Sequence, residues 1–335
     1  MMASDFGAAN RICSWNGTGK MRSKASWAAG SLAVMVVASH TPSVQAGQEP
    51  PSGQSDVTPV TAAQERVDHF AVVCCGWSRG SERHKKWYWQ SNERIGKMLK
   101  EVYGYPDESV YRLCEEGKGR GPAVDGRSSL VNFRAVFEHL AKIMEKDDHL
   151  FVYLVGHGEA GPRGFVFEMT DGQLTGIELS RLLDAVPTER IVVVANPCNS
   201  GALIPAISKP GRVICTSTTA REGNAAGWEG SMTNALAGKE DVDADGDGRI
   251  SIKEAYNASI DGTVEWYRKK GLPLQEHPLL DDNGDGVGHH GKDPLIEADG
   301  TLAANTFLGN NGKKLQYSRA ALQRLANENQ SLELE

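Results

Sequence analysis

The sequence carries no surplus of positive charge. Its 36 Lys and Arg are outnumbered by 43 Asp and Glu, a formal charge of -7. That excludes the basic footprint by which nucleic-acid binders hold phosphates, so no nucleic-acid partner is expected. The apolar stretch near the N-terminus, roughly Ala25 to Ala38, is too short to span a bilayer comfortably. No CxxC pair and no Cys/His metal spacing is present. Cysteine is sparse, with Cys13, Cys74, Cys75, Cys114, Cys198 and Cys215 making six. What remains is ordinary for a soluble globular protein: 335 residues, 40% apolar and 24% charged, enough for one large domain or two smaller ones.

Lys20, Arg22 and Lys24 precede the apolar stretch, and Thr41-Pro-Ser-Val-Gln-Ala46 follows it. Val44 and Ala46 are small residues at positions -3 and -1 of a cleavage site, so residues 1–46 are expected to be a signal peptide and the chain to be exported, periplasmic or secreted. The stretch before Lys20 is long for such a leader, which points to Met21 as an alternative start; an uncleaved anchor is the competing reading. Cleavage removes four cations (Arg11, Lys20, Arg22, Lys24) and one anion (Asp5), taking the formal charge from -7 to -10 and leaving no stable membrane span. It also removes Cys13. The five remaining cysteines are an odd number, so in an exported chain one is unpaired or pairs between molecules. Residues 47–66, rich in Gln, Pro, Ser, Gly and Thr, read as a flexible linker. The folded domain is expected over 67–310, with 311–335 as a polar tail.

From Val67 to about Thr218 strands and helices alternate. Strands are expected at His69–Cys75, Ser109–Cys114, Leu150–Val155, Ile191–Ala195 and Arg212–Ser217, and a small hairpin at Gly164–Met169. Helices are expected at 85–103, Val131–Met144 and from Thr175, a cap, to Leu183, with Glu178 completing a capping-box pattern. Continuous apolar strands separated by helices argue for an α/β fold, a mostly parallel sheet covered on both faces. Cys74 and Cys75 then face opposite sides of the first strand as core, and Cys215 and Cys114 read as structural.

In such sheets the reactive groups sit in loops at the carboxyl ends of strands. Two loops stand out: Gly156-His157-Gly158-Glu159 after Val155, and Asn196-Pro197-Cys198-Asn199-Ser200-Gly201 after Ala195. A thiol attacks a carbonyl as thiolate, and an imidazole beside it can take its proton. Cys198 is the candidate nucleophile and His157 the candidate base. The N–H groups of Gly158 and Cys198 are candidate oxyanion donors.

An apolar strand ending in Gly156-His157-Gly158, then one leading to Cys198-Asn-Ser-Gly201, resembles the legumain-like and caspase-like cysteine peptidases, whose His-Gly and Cys-x-Ser-Gly motifs occupy these places. The separation of 41 residues between His157 and Cys198 suits the legumain branch. Val213-Ile-Cys-Thr-Ser-Thr-Thr-Ala220 looks like the legumain segment lining the substrate pocket, which implies Ser217 and Thr218 as substrate-binding residues. Gly230-Ser-Met-Thr-Asn-Ala-Leu236 is similar to a Gly-x-Phe-Thr-x-x-Leu element of bacterial members. Arg83 and His84 resemble an Arg-His pair near the pocket. Asn196, where animal and plant legumains carry an acidic residue, is grouped with them, and Pro197 is a further departure. The resemblance implies the caspase-haemoglobinase sandwich, a peptide or protein substrate and hydrolysis through an acyl-enzyme. An inactive, calcium-binding interaction module and a transpeptidase are the alternatives.

Asp243-Ala-Asp245-Gly-Asp247-Gly248-Arg249-Ile250-Ser251-Ile-Lys-Glu254 matches an EF-hand loop. Asp243, Asp245, Asp247, Ser251 and Glu254 stand at the side-chain ligand positions, Arg249 offers its carbonyl, and Gly248 makes the turn. Helical sequence on both sides suggests a helix–loop–helix insert over about 231–268 and Ca2+ as the cofactor. A second run, Asp281-Asp282-Asn283-Gly284-Asp285-Gly286, offers Asp281, Asn283 and Asp285 but has Gly288 and Lys292 at the eighth and twelfth positions. It reads either as an incomplete calcium loop or as an Asx/Gly-rich turn. A similar run recurs in bacterial legumain-like proteins. His289 and His290 beside it read as a solvated loop.

Overall fold

The segment His69–Cys75 is buried at every position and forms β1. Its alternate residues serve two cores: Ala71, Val73 and Cys75 on one face of the sheet, Phe70, Val72 and Cys74 on the other. A strand buried on both faces has no use for polar alternation, which is why its sequence is continuously apolar. The computed structural model describes residues 68–309 apart from 122, 163, 225, 239–241 and 293–297, all within one unit, Ala63–Glu335. The leader (1–46), the linker (47–66) and the tail (311–335) lie outside the described residues.

After β1 come α1 (Glu82–Glu101), β2 (Val110–Cys114), β3 (Gly126–Arg127), α2 (Leu130–Ile143) and β4 (His149–Val155). Three short strands follow, β5 (Gly158–Gly161), β6 (Gly164–Met169) and β7 (Gly172–Thr175), then α3 (Gly176–Ala185) and β8 (Arg190–Ala195). The chain continues through α4 (Ile204–Ile207), β9 (Arg212–Thr216), α5 (Gly227–Leu236), α6 (Ile252–Lys270) and β10 (Leu279–Asp281). The main sheet has seven strands in the order β10-β9-β8-β4-β1-β2-β3, all parallel except β10, which pairs antiparallel with β9 at the edge. β5, β6 and β7 form a separate antiparallel sheet, larger than the expected hairpin.

The expected α/β sandwich is therefore present. One face is covered by α1, α5 and α6 through Ile95, Met98, Leu99, Trp228, Met232 and Tyr256. The other is covered by α2, α3, α4 and the small sheet through Phe133, Phe137, Leu179, Ile207 and Phe167. α5 and α6, the helices on either side of the EF-hand-like loop, belong to this covering layer. Side-chain caps fix the helix starts. Ser81 accepts from the His84 N–H, Ser129 from Asn132, and Thr175 from Glu178. Ser251 and Glu254 form a reciprocal capping box on α6. Among the described residues no helix is long and apolar enough to cross a membrane.

Candidate active site

The topology brings the two loops together. β4 and β8 are parallel neighbours, with Leu154 opposite Ala195. His157 follows the end of β4 by two residues and Cys198 follows β8 by three. Gly158 closes the gap between them. A Cβ there would lie 2.6 Å from the Cβ of Pro197 and 2.8 Å from the carbonyl oxygen of Cys198. Only glycine lets the two backbones approach so closely.

The turn carrying Cys198 is held from beneath. Asn199 adopts the left-handed conformation, φ 58°, its N–H donating to the Glu222 carbonyl (2.8 Å) and its Nδ2 to the Ala220 carbonyl (3.2 Å). The Ser217 hydroxyl donates to the Pro197 carbonyl (3.3 Å) and lies 3.2 Å from Ser200 Oγ. The Thr218 hydroxyl accepts from the Ser200 N–H (3.1 Å). Ser217 and Thr218 are fully buried, so their side chains brace the turn and do not face an open pocket. Asn196 is buried as well, its Nδ2 donating to the Leu154 carbonyl (3.2 Å) across the β4–β8 junction. Of the expected substrate-binding group, these three act inside the protein.

His84 does approach the site. The Ser81 cap starts α1 three residues earlier than the apolar pattern indicates, which puts His84 in the first turn. His84 Nδ1 lies 3.2 Å from His157 Nε2, with the two rings edge to face at 4.8 Å. Tyr88, one helical turn on, stacks on His84 (5.8 Å) and meets His157 edge-on (5.9 Å). Arg83 is exposed on the same turn.

Burial, followed by the electrostatic influence of the neighbouring His84 and Arg79, holds His157 below the usual histidine range, against the opposing pull of Glu168 and Glu159. That direction favours the neutral imidazole, the form that accepts a proton. Cys198 is a free, half-buried thiol. Its Sγ accepts the N–H of Asn224 at 3.1 Å. Asn224 Nδ2 also donates to the Asn196 carbonyl and to Ser217 Oγ (3.2 Å), locking that N–H on the sulfur. Nothing in the sequence singles out Asn224; a Gly-Asn pair after a strand signals only a turn. Burial pushes the Cys74, Cys75, Cys114 and Cys215 thiols up. These four match the structural roles expected of them.

In the loop between α5 and α6, carboxylate oxygens of Asp243, Asp245 and Asp247 lie within 4.8 Å of one another. Asp243 Oδ1 is buried without a hydrogen-bond partner among the described residues. The Gly248 N–H donates to Asp243 Oδ2 (2.9 Å), and Asp245 and Asp247 each accept the N–H two residues on. Glu254 accepts from the Ala244 N–H (2.8 Å) with Oε1 and from Ser251 with Oε2. Ser251 and Arg249 follow in the same loop, with the Arg249 guanidinium over Phe307.

No family model and no curated protein matches this chain. Solved structures of similar form include the protein GSU0716 of Geobacter sulfurreducens, with 12% identity, TM-score 0.44, covering 72% of this chain and 99% of its own. They also include caspase-1 of Spodoptera frugiperda, with 13% identity and TM-score 0.41, over 65% of this chain and 86% of that one.

Proposed function

We propose that this chain is an exported cysteine endopeptidase of the legumain–caspase kind that carries a calcium ion in its EF-hand loop. The observation that carries the reading is the close approach of the loop bearing His157 to the loop bearing the free thiol Cys198. They leave adjacent parallel strands and are separated by a glycine with no room for a side chain. His157 takes the Cys198 proton, and the thiolate attacks the scissile carbonyl. The oxyanion is met by backbone N–H groups, Gly158 and Cys198 being the candidates. The protonated His157 then gives its proton to the leaving amine. Water, deprotonated by the same imidazole, cleaves the acyl-enzyme and frees the thiol. His84 and Tyr88 hold the imidazole plane, and Asn224 holds the sulfur.

The EF-hand loop suits Ca2+. Three carboxylates converge, and a buried Asp243 oxygen has no hydrogen-bond partner among the described residues. Asp243, Asp245, Asp247, the Arg249 carbonyl, Ser251 and Glu254 would hold the ion, Glu254 by exchanging its present backbone donors. A bound cation there would neutralise the loop and fix it between α5 and α6.

The test is cleavage of a fluorogenic peptide library with mixed P1 residues by the mature protein, with calcium and with chelator. Cys198→Ala and His157→Ala variants run beside it. Cleavage that disappears in both variants is expected. Turnover retained in Cys198→Ala would sink the assignment. No cleavage by the parent chain, together with no faster alkylation of Cys198 than of a free thiol, would favour the inactive binding module.

A further inference from the structure

The second Asp/Gly run shares its backbone form with the first. In the EF-hand-like loop Gly246 and Gly248 have φ +73° and +79°; in the other run Gly284 and Gly286 have +82° and +80°. Asp245 and Asp247 each accept the N–H two residues on, and Asn283 and Asp285 do the same toward Asp285 and Val287. The two chains part afterwards. His289 exchanges both backbone hydrogen bonds with Leu280, so the run closes as a hairpin beside β10 and never reaches a twelfth-position ligand.

Loop shape alone names no ligand, but the acids around it differ in one respect. Asp282 accepts the Gly300 N–H with one oxygen and the Ala303 N–H with the other. Asp299 accepts from Asp282 and Asn283 with Oδ1 and faces His289 Nδ1 with Oδ2. Both are satisfied clamps. Asp281 is fully buried; its Oδ1 accepts from the Gly284 N–H (3.3 Å), and the Ser208 hydroxyl is a hydrogen-bonding neighbour of the same carboxylate. Its Oδ2 has no partner among the described residues. A buried carboxylate oxygen without a donor is costly, and a cation removes that cost.

We infer that this hairpin is a second, independent divalent-cation site of Ca2+ type, formed by Asp281, Asn283, Asp285 and the Val287 carbonyl. With four protein oxygens of the 6–8 that Ca2+ takes, the remaining positions fall to water, and the site is weaker than the EF-hand loop. The hairpin packs on the segment that follows Cys198: the Gly286 N–H donates to Ser208 Oγ (2.9 Å), and Gly284 lies against Lys209 and Pro210. An ion here would tie the antiparallel edge strand to the chain leaving the Cys198 turn. The inference stands apart from the peptidase reading, because it concerns metal binding alone.

The experiment is calcium titration by calorimetry on the full chain with Asp243→Asn and Glu254→Gln, which disables the first loop. One Ca2+ per chain is expected to remain. Adding Asp285→Asn, at an exposed position that cannot unfold the core, should weaken that binding by about tenfold or more, since affinity follows ligand charge. Adding Asp281→Asn should abolish it. No residual calcium in the first variant, or calcium bound equally well after Asp285→Asn, would overturn the site. Circular dichroism matched to the parent shows that each variant is folded.

Discussion

Gly158→Ala is the substitution whose outcome the geometry fixes most closely. The added methyl would sit 2.6 Å from Pro197 Cβ, 2.8 Å from the Cys198 carbonyl oxygen and 2.9 Å from Phe165 Cε2. Carbon atoms rest about 3.5–4.0 Å apart, so roughly 1 Å of displacement must be found. Phe165 is buried in the core and cannot yield cheaply. Pro197 and Cys198 lie on a turn pinned by Ser217, Thr218 and Asn199, so the turn must shift as a body. Overpacking of this kind costs about 1–3 kcal/mol of stability. The larger effect falls on alignment of thiol and imidazole, where a shift near 1 Å costs on the order of 100-fold in rate. The assay pairs urea unfolding with peptide hydrolysis and with alkylation of Cys198 by a small haloacetamide at pH 7, Cys198→Ala setting the background. Hydrolysis about 100-fold slower, slower alkylation and a modest stability loss are expected. An alanine variant with unchanged rates would refute the claim that this glycine sets the distance between the two loops.

Two further predictions concern the scaffold. Glu229 is buried and accepts from Arg94 (2.7 and 2.9 Å), Ser91, Tyr153 and Thr233, joining α1, β4 and α5. Glu229→Gln removes the charge paired with Arg94 and should cost about 3 kcal/mol by urea denaturation, most of it regained when Arg94→Met is added. His149 is pushed down to about 4, first by burial and then by His69 and Arg190. The unfolded chain therefore binds the extra proton first. Stability should fall as pH drops from about 6.5, and the loss, up to about 3 kcal/mol, should be complete below about pH 4. His149→Phe should flatten that part of the acid limb, and a limb of unchanged depth would contradict this reading.

The layers of the fold were legible because the strands are apolar without interruption, and their boundaries agree within a residue or two. The approach of the loops that carry His157 and Cys198 was legible too, since consecutive strands of a parallel α/β sheet deliver their loops to one end. Other features were not. Whether Ser217 and Thr218 face a pocket or brace a turn depends on which side of the chain the Cys198 loop folds over, and sequence spacing does not encode that. The contact of His84 with His157 turns on the Ser81 cap, a short-range signal that an apolar-period reading passes over. Asn224 acts through its backbone N–H, which every residue but proline possesses. β10 runs antiparallel and is three residues long, too short to show a period.

The interior position of β1, between β4 and β2, has a consequence for how the chain folds. Its neighbours are β2 and β4, and the His69–His149 pairing spans 80 residues of chain. Contacts of such long range form slowly, because loop closure precedes any gain from pairing. During synthesis β1 emerges well before β4, and β8 follows later still. For that interval the segment HFAVVCC is an apolar strand with one edge open and two free thiols, the kind of segment prone to association with other chains. Folding yield should therefore depend on keeping nascent or unfolded chains apart until the chain beyond Val155 is available, more than on any local helix strength.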